Sequence, residues 1–141
     1  MARFLFDTNH LTHYEYGHPG VRARFQAEPP GEIALSIVTV EEYLRGRLAT
    51  VAQWSAPGGP RLIAAYGRLE TGCQLLRTFP FVGFDAAAEA TVRRLRPIAS
   101  KPGTRDLRIA SIAWVHNLIV VTANASDFSS IPGLAWEDWT V

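Results

Sequence analysis

Short apolar runs alternate along this chain with longer stretches of helical period, and that alternation predicts βα units built around a mainly parallel sheet. Phe4 to Phe6 reads as the first strand and is closed by Asp7. Thr8 to Tyr16 reads as a helix stopped by Gly17, and Pro19 to Ala27 as a second one with Pro at its start. The uninterrupted run Ile33 to Val38 is that of a strand buried on both faces. Val40 to Gln53 has helical period, Pro57-Gly58-Gly59-Pro60 breaks the chain, and Arg61 to Thr78 is a long helix, so the pair is expected to form a hairpin of helices. Phe81 to Phe84 gives a third strand, and Asp85 caps a helix through Ala86 to Arg96. Asp106 to His116 carries so wide an apolar face that a central, buried helix is predicted. Leu118 to Thr122 is the most strand-like segment, a loop follows through Phe128, and a short strand around Leu134 to Trp136 ends the series.

At 141 residues, with no internal repeat or linker, residues 1–141 are expected to form a single domain. Hydrophobic residues make up 48% and charged residues 19%, which excludes a disordered chain. An acid at position 7 precedes any apolar stretch long enough for a signal peptide, and no window approaches the roughly 18 apolar residues of a membrane helix. Cys73 is alone, so a reduced compartment such as the cytoplasm suits the chain, and its place in a helix predicts a small core residue.

Three acids then change the picture. Asp7 ends the first strand, Glu42 follows the second by a few residues, and Asp106 opens the buried helix. In a parallel α/β sheet those places border one crevice, at the carboxyl ends of the strands. Each acid also has an ordinary role, Asp7 and Asp106 as helix N-caps and Glu42 as a solvated acid of a first turn. Together they are a divalent-cation site: like charges 4 Å apart repel by about 4 kcal/mol at an effective dielectric of 20, and a hard cation with oxygen ligands relieves this. With no Cys or ordered His group nearby, Mg²⁺ or Mn²⁺ is expected rather than Zn²⁺. Such a metal, with a bound water, points to phosphodiester hydrolysis, with Asp7 and Asp106 as metal ligands and Glu42 binding or deprotonating the water. Asn9, Thr122 and Asn124 could hold the carboxylates by hydrogen bonds, although Thr122 also reads as a strand end and Asn124 as a turn former.

Net charge is +1, yet Arg93, Arg94, Arg96, Lys101, Arg105 and Arg108 cluster with Asp106 as the single acid among them. That cluster reads either as a solvated face or as a phosphate-gripping RNA-binding rim. His10 and His13 stand three apart, but histidines at a helix start are expected at the surface. Trp54, Trp114, Trp136 and Trp139 read as core or partner-surface residues rather than base-stacking platforms. A haloacid-dehalogenase phosphatase would need a second acid where Asn9 stands, and a response-regulator receiver would need a late Lys that is absent here.

These residues resemble a PIN-domain ribonuclease, and within that family the VapC toxins of toxin-antitoxin pairs. Phe6-Asp7-Thr8-Asn9 is similar to the family's opening strand-Asp-Thr-Asn element, and Thr39 to Gly46 to its Thr-x-x-Glu-Leu-x-x-Gly element, with Glu42 at the acid's place. Asp106 to Ala113 resembles its Asp-x-x-Ile-Ala-x-x-Ala helix, and Val121 to Phe128 its Thr-x-Asn/Asp-x-x-Asp-Phe loop. Many members carry Asp where Asn124 stands, so the fourth acid is Asp127 or is missing. The resemblance implies a three-layer α/β/α sandwich and an Mg²⁺- or Mn²⁺-dependent endoribonuclease with Asp7, Glu42, Asp106 and Asp127 as its catalytic acids. It also implies an antitoxin partner and a homodimer. The alternative is a catalytically silent PIN-like module that binds RNA or protein. An antitoxin tail would dock between the three helices Thr8 to Tyr16, Val40 to Gln53 and Arg61 to Thr78, and inhibit by setting a basic residue against the acids.

Overall fold

The computed structural model describes residues 2–141. Five strands form one sheet in the order β3-β2-β1-β4-β5, and every pairing is parallel. They are β1 (Phe4–Phe6), β2 (Ile33–Ser36), β3 (Phe81–Val82), β4 (Ile119–Val121) and β5 (Trp136–Glu137). The helices are α1 (Thr8–Glu15), α2 (Pro19–Ala27), α3 (Ile37–Ser55), α4 (Gly59–Leu76), α5 (Ala86–Leu95), α6 (Thr104–His116) and α7 (Ala125–Phe128).

The period of two along β1 divides the core. Leu5 points with Ala34 and Val120 into a layer made with α5, α6 and α7, through Ala88, Leu95, Leu107, Ile109, Ile112 and Phe128. Phe4 and Phe6 point the other way, with Leu35, into a layer holding Leu11, Val21, Tyr43, Leu76 and Trp139. Helices therefore cover both faces, which a parallel sheet requires. Because β2 and β3 lie on one side of β1 and β4 and β5 on the other, the order of the chain reverses at β1, and its carboxyl end opens a crevice. No helix among the described residues is long and apolar enough to cross a membrane.

Several boundaries differ from expectation. The second strand stops at Ser36 because the Ser36 hydroxyl accepts the Thr39 N–H at 3.0 Å, so Ile37 and Val38 are drawn into the first turn of α3 despite their β-branched side chains. The last strand is Trp136–Glu137 rather than Leu134 to Trp136, since the register with β4 begins only at Val120 opposite Trp136. Helix α7 falls where the sequence predicts a loop. α6 begins at Thr104, with Gly103 as N-cap, so Asp106 sits inside the first turn and does not cap it. Cys73 is exposed rather than in the core, because α4 packs by the stripe Ala65, Gly72 and Leu76 and Cys73 lies beside that stripe. His10, expected at the surface, is fully buried: with Leu11 it forms the inward face of α1.

Candidate active site

The crevice is a cleft of about 320 Å³ lined by Asp7, Thr8, Asn9, Thr12, Glu42, Asp106, Ile109 and Asn124. Five segments build it: the end of β1, α1, α3, α6 and the loop before α7. Asp7 ends β1 and is the N-cap of α1, its carboxylate accepting the His10 N–H at 3.3 Å. The capping role and the site role thus fall on one side chain. Asp7 is 3% exposed and its other oxygen accepts from Thr122 at 2.5 Å and from the Asn9 amide at 3.2 Å. Burial, with Asp106 adding repulsion, pushes its carboxyl up to about 7.

Glu42 lies in the second turn of α3, where it accepts from the Thr8 hydroxyl and faces the Arg105 guanidinium at 3.5 Å. α3 is anchored there because Thr39 donates to the Phe6 carbonyl at 3.3 Å, joining its first turn to the end of β1. Asp106 reaches the crevice from α6, and its carboxyl is raised by burial and then by Asp127 and Glu42. Asn124 stands between acids: its amide donates to Asp106 at 3.1 Å and to Asp127 at 2.9 Å. Its backbone N–H reaches the Thr122 hydroxyl at 2.9 Å.

Thus Asp7, Glu42, Asp106, Asn9, Thr122 and Asn124 meet at one place, and Asp127 joins them through Asn124. Among the described residues no three ligating side chains already surround one point, and each of the three carboxylates accepts a hydrogen bond from its own protein. The donor set still fits a hard divalent cation. It offers carboxylate oxygens without sulfur or imidazole, and two of its acids are shifted upward by burial first and by neighbouring carboxylates after it, both of which a bound cation would offset.

The basic cluster does not stay together. Arg105 and Arg108 line a second cleft, of about 550 Å³, that shares Glu42 and Asp106 with the first. Arg93 instead pairs with Glu89 at 3.2 Å, Arg94 lies over the Trp114 ring, and Arg96 donates to the Pro102 carbonyl at 2.8 Å. Lys101 is exposed on the loop before α6 and lines neither cleft. Arg45 lies outside that basic run in the sequence, yet it lines the second cleft and pairs with Glu41 at 2.6 Å. Thr8 is a further site residue, one that belongs to the Asp-Thr-Asn element but to which the sequence assigns no role. The available signal for Arg45 is its place one helical turn after Glu42, and for Thr8 its adjacency to Asp7.

The PIN-domain family profile matches residues 4–134. The chain belongs to the PIN-domain family. It is 28% identical over 145 residues to the tRNA(fMet)-specific endonuclease VapC of Shigella flexneri, covering 99% of this chain and 100% of that protein. Among solved structures this PIN domain is similar to a toxin-antitoxin complex from Klebsiella pneumoniae, with TM-score 0.71, 25% identity and 96% of each chain covered. It is also similar in fold to DNA-bound VapBC from Salmonella typhimurium, with TM-score 0.77, 23% identity and 99% of each chain covered. The three-layer α/β/α fold is therefore that of the VapC structures.

Proposed function

We propose that residues 1–141 act as one PIN domain, a divalent-cation-dependent endoribonuclease that serves as the toxin of a two-gene toxin-antitoxin pair. The observation that carries this reading is the convergence of Asp7, Glu42 and Asp106 at the carboxyl end of β1, with two of the three carboxyls raised. Asp7 and Asp106 would hold Mg²⁺ or Mn²⁺, which when bound lowers the pKa of a water and offsets charge on a phosphodiester under attack. Thr122 and Asn9 orient Asp7, and Asn124 orients Asp106 and Asp127. Glu42 lies on the far wall, where it can take a proton from a water, and Thr8 holds it there. Arg45, Arg105 and Arg108 line the adjoining cleft, where guanidinium groups suit the phosphates that flank a scissile bond.

An antitoxin is the partner that the similar complexes support. Leu48 on α3 and Ile63 and Tyr66 on α4 are 54%, 74% and 55% exposed, an apolar surface suited to a partner helix. A homodimer, the other partner implied, is a matter for light scattering of the purified chain.

Cleavage of a total-RNA substrate, measured with chelator and after adding back Mn²⁺, tests the activity. Wild type should cut only with metal, and Asp106→Asn should remain folded and inactive. If wild type binds Mn²⁺ and RNA without cutting any RNA, the silent binding module is the better reading.

A further inference from the structure

His10 lies on the opposite side of Asn9 from the crevice, is fully buried, and uses both ring nitrogens. The Trp139 backbone N–H points at Nε2 at 3.0 Å. A backbone N–H can only donate, so Nε2 accepts, and the ring proton is on Nδ1. Nδ1 faces the Asn9 side-chain oxygen at 3.0 Å, which can only accept. The orientation of the Asn9 amide is fixed independently, because the Ala123 N–H also donates to that oxygen at 3.1 Å. The amide nitrogen of Asn9 is thereby turned toward Asp7, 3.2 Å away.

These bonds form a single directed path: Trp139 N–H to His10, His10 Nδ1–H to Asn9, Asn9 amide to the Asp7 carboxylate. Its outer end is anchored by packing and hydrogen bonds. The Trp139 ring packs edge-on against Phe4 and Phe6 at 5.1 and 5.3 Å, and its indole N–H donates to Glu137 at 2.9 Å. Beside it Asp138 accepts the Thr140 N–H at 2.9 Å, closing the turn. We propose that His10 is a positioning residue for the metal site, the link by which the tail after β5 fixes the rotamer of Asn9 and, through it, the carboxylate of Asp7. This rests on the metal-site reading given above. His10 touches neither the cleft nor any group proposed to meet the metal or RNA through its side chain, so its effect must pass through Asn9.

The two nitrogens can be tested apart. In His10→Asn the side-chain NH₂ replaces Nδ1–H toward Asn9 and the bond to Trp139 is removed. In His10→Gln the side-chain oxygen replaces Nε2 toward Trp139 and the bond to Asn9 is removed. His10→Phe keeps ring volume and removes both. Mn²⁺ affinity, measured by titration, should fall about tenfold in His10→Phe and His10→Gln and stay near wild type in His10→Asn. Melting temperature should follow a different order, with His10→Gln retaining more stability than His10→Asn. In cleavage assays kcat should fall in His10→Gln while KM for RNA is unchanged. Where Asp7→Asn loses Mn²⁺, equal Mn²⁺ affinity in His10→Gln and His10→Asn overturns the proposal, and should His10→Phe not fold, that pair still decides. A metal-free readout separates failure of the relay from failure of the site. By NMR, the Asn9 side-chain amide and the Ala123 backbone amide should shift in His10→Gln and hold in His10→Asn. If those amides behave so but Asp7→Asn binds Mn²⁺ as wild type does, the metal-site reading is at fault and the positioning path to Asp7 stands. If they are unmoved in His10→Gln, the path itself is refuted.

Discussion

Asp7 and His10 occupy one turn of chain and carry opposite titrations. Burial raises the Asp7 carboxyl to about 7 and lowers the His10 imidazole to about 4 against the attraction of Asp138. Between pH 4 and 6.5 the folded, metal-free protein keeps a proton on Asp7 that the unfolded chain has released, so this group makes stability fall as pH rises. Over the same range the unfolded chain protonates His10 and the folded one does not, so that group makes stability rise with pH. Each slope is at most about 1.4 kcal/mol per pH unit, and the two oppose. Relative to wild type in chelator, Asp7→Asn should therefore gain stability with rising pH across this window, and His10→Gln should lose it, as read by urea unfolding near both ends of the window. Parallel pH profiles in the two variants would show that these groups do not titrate as described. Asn124 permits a second test. Its amide separates Asp106 from Asp127, so Asn124→Asp puts a third carboxylate between two others. The metal-free protein should melt lower, and calorimetric titration should show tighter Mn²⁺ binding.

At the scale of elements, α3 and α4 pack along their lengths and come closest at Gly72. A Cβ on Gly72 would stand 2.9 Å from a ring carbon of Tyr43, whose hydroxyl is held by Glu15 of α1 at 2.9 Å. Arg47 reaches the same Glu15 at 2.5 Å, so three helices meet where a side chain has no room. Gly72→Ala should cost about 1 to 3 kcal/mol by overpacking. Gly67, in the same helix, has nothing within 4 Å of its notional Cβ, and Gly67→Ala should add about 0.5 to 1 kcal/mol by reducing backbone entropy loss. Urea unfolding of both checks the pair, and the opposite signs are what matter. Helix α3 also shows a local preference overridden by a cap: a single Ser36 hydroxyl at the right distance turned two β-branched residues from strand to helix.

Viewed as a whole, the molecule places one acidic cleft and one cleft edged by arginines side by side, sharing Glu42 and Asp106. Net charge is only +1, so any attraction for RNA must be local. Arg45→Gln with Arg108→Gln should raise KM for RNA and flatten the slope of log KM against log salt by about 0.7 for each phosphate no longer neutralised. Arg93→Gln with Arg94→Gln, drawn from the same run of sequence as Arg108 but turned toward Glu89 and Trp114, should leave that slope unchanged. Equal effects from both pairs would return the interaction to bulk charge.

The sequence by itself determined the βα alternation, the parallel sheet, and the three acids Asp7, Glu42 and Asp106, because period, turn residues and strand-end positions are local properties of the chain. Thr122, Asn9 and Asn124 were legible as carboxylate holders for the same reason: each lies within a few residues of a strand end. Which arginines border the acids was not legible, since neighbours on a helix diverge by about 100° and only packing decides which face meets the crevice. Nor was the burial of His10 or its bond to Trp139, 129 residues away, because a contact that joins the start of the chain to its tail exists only once β1, β4 and β5 have been set side by side. The sequence named the acids. Tertiary structure decided which carboxylate each donor holds and added Thr8 and His10 to them, because a hydrogen bond depends on a distance and an angle that no local pattern encodes.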